Sequence, residues 1–535
     1  MKKRVILLSL IAALVGPMPS HNQDQWAAAL TKVRAMAQIL ETEYYKPVDE
    51  QQLAYSSIRG TLDTLDPHSY FLDPDSFSRQ REEYTGKYYG LGIQIQKQGD
   101  KIVVISPIEG TPAWRLGIQS GDTISHINGE STVPISSYEA MQKLRGEKGT
   151  KVTITIVRDG LDKPFELTIT REEIPLLSVP YSFMLDNGVG YVFIRNFAKE
   201  TPRELEEALV KLSGRGMKSL ILDLRSNTGG PLVQCIEVAD LFFPSGTLIV
   251  SMKGRNPAYD REFKAERDGQ YEKLPLVILI DQGTASASEI VSGAVMDHDR
   301  GLIVGEDSWG KGLVQTVFPL APDAAVALTV AKYLTPSGRS IQRDYSQIDD
   351  YLLLAKRAPD DSREVKYTDR GRKVLGQGGI TPDYKVDSLL KPYTGRLRLS
   401  GAFFNYARKL VQHQTDLGQT FVFPQDPKGP ESSGPGKTLV GKTFPVDAAV
   451  IDDFRKYLKP RNVANDEKAF KDAEEEIRRE LEREIASAIW GLEEGVRVSR
   501  LSDPAVLKAL DVLPEAAGMT EGKTAIPVRQ RPGRG

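Results

Sequence analysis

A serine that attacks and a lysine that takes its proton can together cut an amide bond, and this chain sets one of each in a tight turn. Ser286 lies in Asp281-Gln282-Gly283-Thr284-Ala285-Ser286-Ala287-Ser288-Glu289. The apolar run Leu274 to Ile280 before it predicts a buried strand, and Ile290 to Met296 after it predicts a helix. A serine at such a turn exposes its hydroxyl and has the helix N–H groups aimed at whatever the hydroxyl attacks. The same residues, Ser286-Ala287-Ser288-Glu289, also spell a capping box, a reading that gives Ser286 no chemistry. Ser288 is a rival nucleophile, but it sits about 200° around the helix from Ser286, so both cannot face one site. Downstream, Gly310-Lys311-Gly312 precedes a strand-like run that carries Gln315. If residues 311–318 are extended, Lys311, Leu313 and Gln315 share a face. A serine hydroxyl needs a base. Lysine, with a free pKa of about 10.4, serves only when neutral. Burial lowers that value, and flanking glycines let the backbone bring the amine close.

Two other chemistries fit less well. Gly305 to Lys311 partly matches a phosphate-binding loop, but Gly312 stands where serine or threonine would hold magnesium, and a strand follows instead of a helix. A serine–histidine arrangement would draw on His298, which is expected as a surface residue at a helix end.

The order Ser-Ala-Ser-Glu, Gly-Lys-Gly, then glutamine resembles the carboxyl-terminal processing, or tail-specific, proteases. That resemblance implies Ser286 as nucleophile, Lys311 as general base and Gln315 as the residue that orients the lysine. Asp223-Leu224-Arg225-Ser226-Asn227-Thr228-Gly229-Gly230 closes a second strand–turn–helix unit and resembles the family's Asp-Leu-Arg-x-Asn-x-Gly-Gly motif. The resemblance implies an oxyanion hole from the amides of Gly229, with Gly230 as the alternative, and Ala287. One such donor is worth about 3–4 kcal/mol in the transition state. A glycine turn with no further role is the plainer reading. Asp66-Pro67-His68-Ser69-Tyr70-Phe71-Leu72, the run Ala331 to Gln342, and Gly379-Ile380-Thr381-Pro382-Asp383 are further strings similar to the family's. His68 is expected to be structural.

Residues 86–172 change to short strands and turns. Ser106-Pro107-Ile108-Glu109-Gly110-Thr111-Pro112-Ala113, Leu116-Gly117-Ile118, Gly121-Asp122-Thr123-Ile124 and Ile127-Asn128-Gly129 resemble a PDZ domain. Gly90, Leu91, Gly92 and Ile93 match the loop whose amides hold a peptide's terminal carboxylate. The helix Ile135 to Leu144 would wall the groove, with Met141 and Leu144 facing the ligand. Arg145, at its end, is either a relay from the groove to the protease core or a solvated residue favoured by the helix dipole.

These elements imply an α/β multidomain chain. A crotonase-like α/β protease core (173–390, with a charged surface excursion at 343–378) follows an inserted PDZ domain (86–172). An N-terminal helical region is expected at 23–85, a linker region at 391–445, a C-terminal helical region at 446–517 and a disordered tail at 518–535. Phe470, Ile477, Leu481, Ile485 and Trp490 form an apolar stripe that packs either on its own domain or on a second copy of the chain. The 70 basic and 72 acidic residues nearly cancel, which argues against nucleic acid as a partner. The single cysteine, Cys235, excludes an intramolecular disulfide and reads as a core residue. No metal and no cofactor are expected. Met1-Lys2-Lys3-Arg4 and the apolar run 5–15 read as an export signal, with an uncleaved inner-membrane anchor as the alternative. The expected protein is an exported, periplasmic serine endopeptidase acting on protein substrates with apolar C-termini. The alternative is a PDZ binding scaffold on an inactive protease fold.

Overall fold

The structure is a computed structural model that describes residues 20–520 apart from 160, 321–322, 354–361, 388–389, 425–436 and 461–465. The expected export segment and the last 15 residues lie outside the described residues. Among the described residues no helix is long and apolar enough to cross a membrane. The chain divides into two compact units, residues 1–78 with 314–330, and residues 79–313 with 331–535.

In the first unit, the helix Glu50–Leu62 starts where the Asp49 side chain accepts the Gln52 N–H, an N-cap that the sequence supplies directly. Leu62 packs with Phe71 and Ala324 in a small core. The strand Tyr70–Leu72 runs antiparallel to residues 325–327, with Tyr70 opposite Ala327. The preceding helix Ser20–Glu43 leaves its apolar stripe in solvent, with Trp26 53% and Ile39 60% exposed.

The second unit begins with the PDZ sheet. Its strands Ile93–Gln98, Lys101–Pro107, Thr123–Ile127, Lys151–Val157 and Phe165–Thr170 lie side by side in chain order. Val152, Ile154 and Ile156 alternate inward, the period of two that a half-buried strand requires. The helix Ser137–Leu144 opens on a complete capping box, Ser136 with Glu139.

The protease sheet has six strands in chain order: β1 (Tyr181–Met184), β2 (Val189–Phe193), β3 (Ser219–Asp223), β4 (Leu276–Ile280), β5 (Leu302–Gly305) and β6 (Tyr384–Lys385). β1 is antiparallel to β2, and every later pairing is parallel. A parallel strand is covered on both faces, which explains why β4 is an unbroken apolar run with every side chain buried. On one face lies the helix Pro504–Thr520, whose Val506, Ala509, Val512 and Ala516 meet Ile221, Val277, Leu279 and Val304.

Two expectations change here. The excursion at 343–378 keeps most of its described residues exposed, but not its arginines: Arg343, Arg363 and Arg372 are buried at 3%, 5% and 6% exposure. The Arg372 guanidinium is satisfied by Asp299, Asp383 and the Met296 carbonyl, so charged residues line an interior. Residues 391–445 are not a plain linker either. The helices Pro392–Leu399 and Ala402–Val411 join Ala448–Leu458 and Glu474–Trp490 in one core through Leu397, Phe403, Tyr406 and Phe454. The stripe Phe470, Ile477, Leu481 and Ile485 is spent in that core, with Trp490 packed at its side.

Candidate active site

Ser286 has φ 55° and ψ −114°, a region that a residue with a Cβ enters at a cost of about 1–3 kcal/mol. Neighbouring groups over-determine it. Its N–H donates to Glu289 Oε2 at 2.8 Å, and the Tyr333 hydroxyl donates to its carbonyl at 3.2 Å. The Ala285 N–H donates to the Asn227 carbonyl at 2.9 Å, and the Ser288 hydroxyl donates to the same oxygen at 3.0 Å. Ser288 is therefore turned into the protein, away from the face of Ser286, as the helical angle predicts. The helix Ala287–Asp297 starts at this turn.

Glu289 links the two turns. It is fully buried and accepts four donors. Oε2 takes the N–H groups of Ser286 at 2.8 Å and Lys311 at 2.9 Å; Oε1 takes the Gly310 N–H at 2.7 Å and the Ser308 hydroxyl. The backbone nitrogens of Ser286 and Lys311 thus share one oxygen and are at most the sum of those two distances apart. Burial pushes the Glu289 carboxyl above its ordinary range, while the four hydrogen bonds pull it back down. Gly310 has φ +91°, and a Cβ there would lie 2.9 Å from the Gly379 nitrogen; one on Gly312 would lie 2.9 Å from the Gln342 nitrogen. The glycines on either side of Lys311 are thus required by the backbones packed against them.

The turn after β3 approaches from the other side. Ser226 has φ 58° and is held by Asp281, which accepts its N–H at 2.7 Å and its hydroxyl at 3.0 Å. Gly229 has φ +101°, and a Cβ there would meet Ser286 Cβ, the Ala287 nitrogen and the Ala285 carbonyl, each at 2.9 Å. Only glycine allows that approach. The Gly229 N–H, however, donates to Asn227 Oδ1 at 2.9 Å and is occupied. The N–H groups of Gly230 and Ala287 have no hydrogen-bond partner among the described residues. For Ala287 the reason is its place at the first turn of a helix.

The PDZ groove, about 430 Å³, is floored by Leu91 and Leu144 and flanked by Gly92, Ile93 and Met141. A Cβ on Gly92 would fall 2.3 Å from Thr111 Cβ, so the loop there must be glycine. Arg145 forms an ion pair with Glu82 at 2.6 Å and lies 4.2 Å above the Tyr88 ring.

Residues 188–350 match the model of peptidase family S41, and residues 80–157 match that of the PDZ domain. The carboxy-terminal-processing protease of Bartonella bacilliformis is 36% identical over 342 residues, 63% of this chain and 78% of that protein. The chain belongs to the carboxy-terminal-processing protease family. The carboxy-terminal processing protease CtpA of Bacillus subtilis is 34% identical over 352 residues, 63% of this chain and 74% of that protein. Among solved structures, a photosystem II D1 C-terminal processing protease is 28% identical over 68% of this chain and 88% of its own, with a TM-score of 0.36.

In this processing protease the residues singled out from sequence fall as follows. Ser286 and Lys311 are brought to one carboxylate. Gln315 lies in the first unit, where its Nε2 donates to Thr329 Oγ1 at 3.1 Å. Thr329 Oγ1 donates in turn to Asp66 at 3.0 Å, and Ser69 also donates to Asp66, at 2.7 Å. The Asp66-Pro67-His68-Ser69 string therefore holds the partner of the glutamine. Gly90 ends the strand Lys87–Gly90, opposite Glu172, and does not line the groove. Arg145 reaches helix Pro74–Thr85 and not the protease core. His298 is mostly buried and tied to Asp369 and the Leu248 carbonyl, each at 2.7 Å; it caps the far end of the helix that Ser286 begins. Glu289 was legible only as half of a cap, because its partners Ser308, Gly310 and Lys311 are remote in sequence. Among the described residues no group of histidine, cysteine, aspartate and glutamate is placed to hold a metal ion.

Proposed function

We propose that the chain is an exported serine endopeptidase that cuts protein substrates presented by apolar C-terminal tails. In this reading the Ser286 Oγ attacks the scissile carbonyl and its proton passes to neutral Lys311. The N–H groups of Gly230 and Ala287 receive the oxyanion, and the Lys311 ammonium then protonates the leaving amine. Water, activated by the same lysine, releases the acyl group from Ser286. Serine–lysine pairs are an established variant of the serine triad. Gln315 orients the lysine, a role that rests on the family resemblance. The PDZ loop at Leu91–Ile93 takes the terminal carboxylate while the tail adds a strand to the groove. The basic head and apolar run at 5–15 support export.

The observation that carries this reading is the shared oxygen of the fully buried Glu289, which holds the backbones of a strained serine and a glycine-flanked lysine together. A capping box accounts for the Ser286 N–H on Glu289, but not for the strain at Ser286 or for the Lys311 N–H on the same oxygen. The test is proteolysis of an unfolded protein by wild type and Ser286→Ala side by side. The expected result is cleavage by wild type alone, with both proteins folded. Turnover retained in a folded Ser286→Ala protein would contradict the nucleophile, and no cleavage by wild type would favour a binding scaffold.

A further inference from the structure

The helical segment after Gly491 lies beyond both family matches, yet it supplies charge next to the turn that carries Gly229 and Gly230. Helix Pro504–Thr520 begins at Asp503, whose Oδ1 accepts the N–H groups of Ala505 at 2.9 Å and Val506 at 3.3 Å. That is an N-cap, with proline at the first helical position. The same carboxylate accepts Arg225 Nη1, 2.9 Å from Oδ2 and 3.1 Å from Oδ1. The other edge of the Arg225 guanidinium is on Asp223, Nε at 2.9 Å and Nη2 at 2.6 Å. Asp223 also accepts the Tyr191 hydroxyl at 2.6 Å; Arg500 donates to that hydroxyl at 2.8 Å and returns to Asp503 at 3.2 Å. Two arginines and two aspartates thus close a ring around a buried tyrosine. Asp223 is fully buried, and Arg225 and Asp503 are each 12% exposed.

Arg225 immediately precedes Ser226 and Asn227. The Asn227 carbonyl holds both Ala285 and Ser288, and its side chain holds the Gly229 N–H. A cap alone needs only a short acceptor, and asparagine or serine serves equally well. The charge on Asp503 is used on Arg225. We propose that Asp503 is a positioning residue for the proteolysis set out above: by holding Arg225 from the C-terminal helix, it fixes the Ser226–Gly230 turn against the Ser286 turn. The C-terminal helix is then part of the catalytic apparatus and not an appended element. This inference rests on the proposed Ser286 chemistry.

The discriminating variant is Asp503→Asn, which keeps a good cap and removes the charge. Asp503→Ser, also a good cap, is the second. Both are assayed in the full chain for kcat and KM on a fluorogenic peptide, for cooperative melting, and for binding of a peptide with a free carboxylate to the PDZ groove. Misplacing a reacting group by about 1 Å costs on the order of a hundredfold in rate, so we expect kcat to fall by at least about tenfold. KM and peptide affinity should stay within about twofold of wild type, with melting still cooperative. A folded Asp503→Asn protein with kcat within about twofold of wild type overturns the proposal. Loss of cooperative melting in both variants also overturns it, by making Asp503 a stability residue. Ser286→Ala is run in parallel. If it is inactive while Asp503→Asn is fully active, the inference alone fails; if Ser286→Ala keeps turnover, the reading beneath it fails.

Discussion

Lys311 is the residue on which the proposed chemistry turns, because charge and basicity separate there. Lys311→Arg should fold and be inactive across pH 6–10, since arginine stays protonated and cannot accept the serine proton. Turnover near that of wild type would show that position 311 supplies charge alone. Glu289 gives a second prediction. Its folded carboxyl lies above the ordinary 4.5 because burial outweighs its hydrogen bonds. Folding therefore favours the protonated form, and its contribution to stability is full below about pH 4.5 and lost as pH rises through the folded value. Glu289→Gln should remove that pH dependence from urea unfolding curves. It should also cost at least a hundredfold in activity, because its amide N–H groups would face backbone donors. Unchanged activity in Glu289→Gln would remove the link between the two turns. At this scale residue type and spacing singled out Ser286 and Lys311, whose backbones the fold brings to one carboxylate. The sequence was silent where one carboxylate gathers donors from remote segments. The Gly229 amide was the expected oxyanion donor; a side-chain acceptor two residues away, at Asn227, uses it instead, and that choice depends on backbone torsions.

Elements were legible in proportion to how local their causes are. The PDZ strand Lys151–Val157 is legible in its apolar period of two, because that period acts within a few positions. The helices at 392–411 were hidden by the proline- and glycine-rich stretch that follows them, although Leu397, Phe403, Tyr406 and Leu410 keep helical spacing. The buried arginines of 343–378 read as surface charge because their acceptors, carbonyls and aspartates of other elements, leave no local trace. Those acceptors make a prediction. Arg372→Ala should destabilise the fold by about 3–5 kcal/mol, since it leaves Asp299 and Asp383 buried without their partner. Denaturant unfolding checks it, and a change below about 1 kcal/mol would show that water replaces the guanidinium. Gly310→Ala should likewise distort the Lys311 turn, as the new Cβ meets the Gly379 backbone.

At the scale of the whole molecule, the groove and the turns of Ser286 and Lys311 belong to the same compact unit, and Arg145 ends the helix that walls the groove. Its pairing with Glu82 and stacking on Tyr88 place a charged-group contact at the end of the groove that, in the proposed function, receives a terminal carboxylate. An arriving carboxylate competes with Glu82 for that guanidinium. Substrates with a free C-terminus should therefore be cleaved at least about tenfold more efficiently than amidated ones, and Arg145→Ala should lose most of that preference. Equal cleavage of both substrates by wild type would remove the carboxylate from recognition, and a full preference in Arg145→Ala would remove the arginine. The family was readable from motifs alone, in part because glycines such as Gly92, Gly229 and Gly310 sit where neighbouring groups leave no room for a Cβ. The partner of Arg145 was not, since Glu82 is 63 residues away in sequence and the ion pair forms across elements.

The central claim is that Ser286 is a nucleophile activated by Lys311. Its most direct test is intact-mass and peptide mapping of the protein after reaction with a fluorophosphonate. Wild type should gain one adduct, on Ser286, while folded Ser286→Ala and Lys311→Arg proteins should gain none. An adduct on another serine in wild type, or undiminished labelling of Ser286 in Lys311→Arg, would contradict the account.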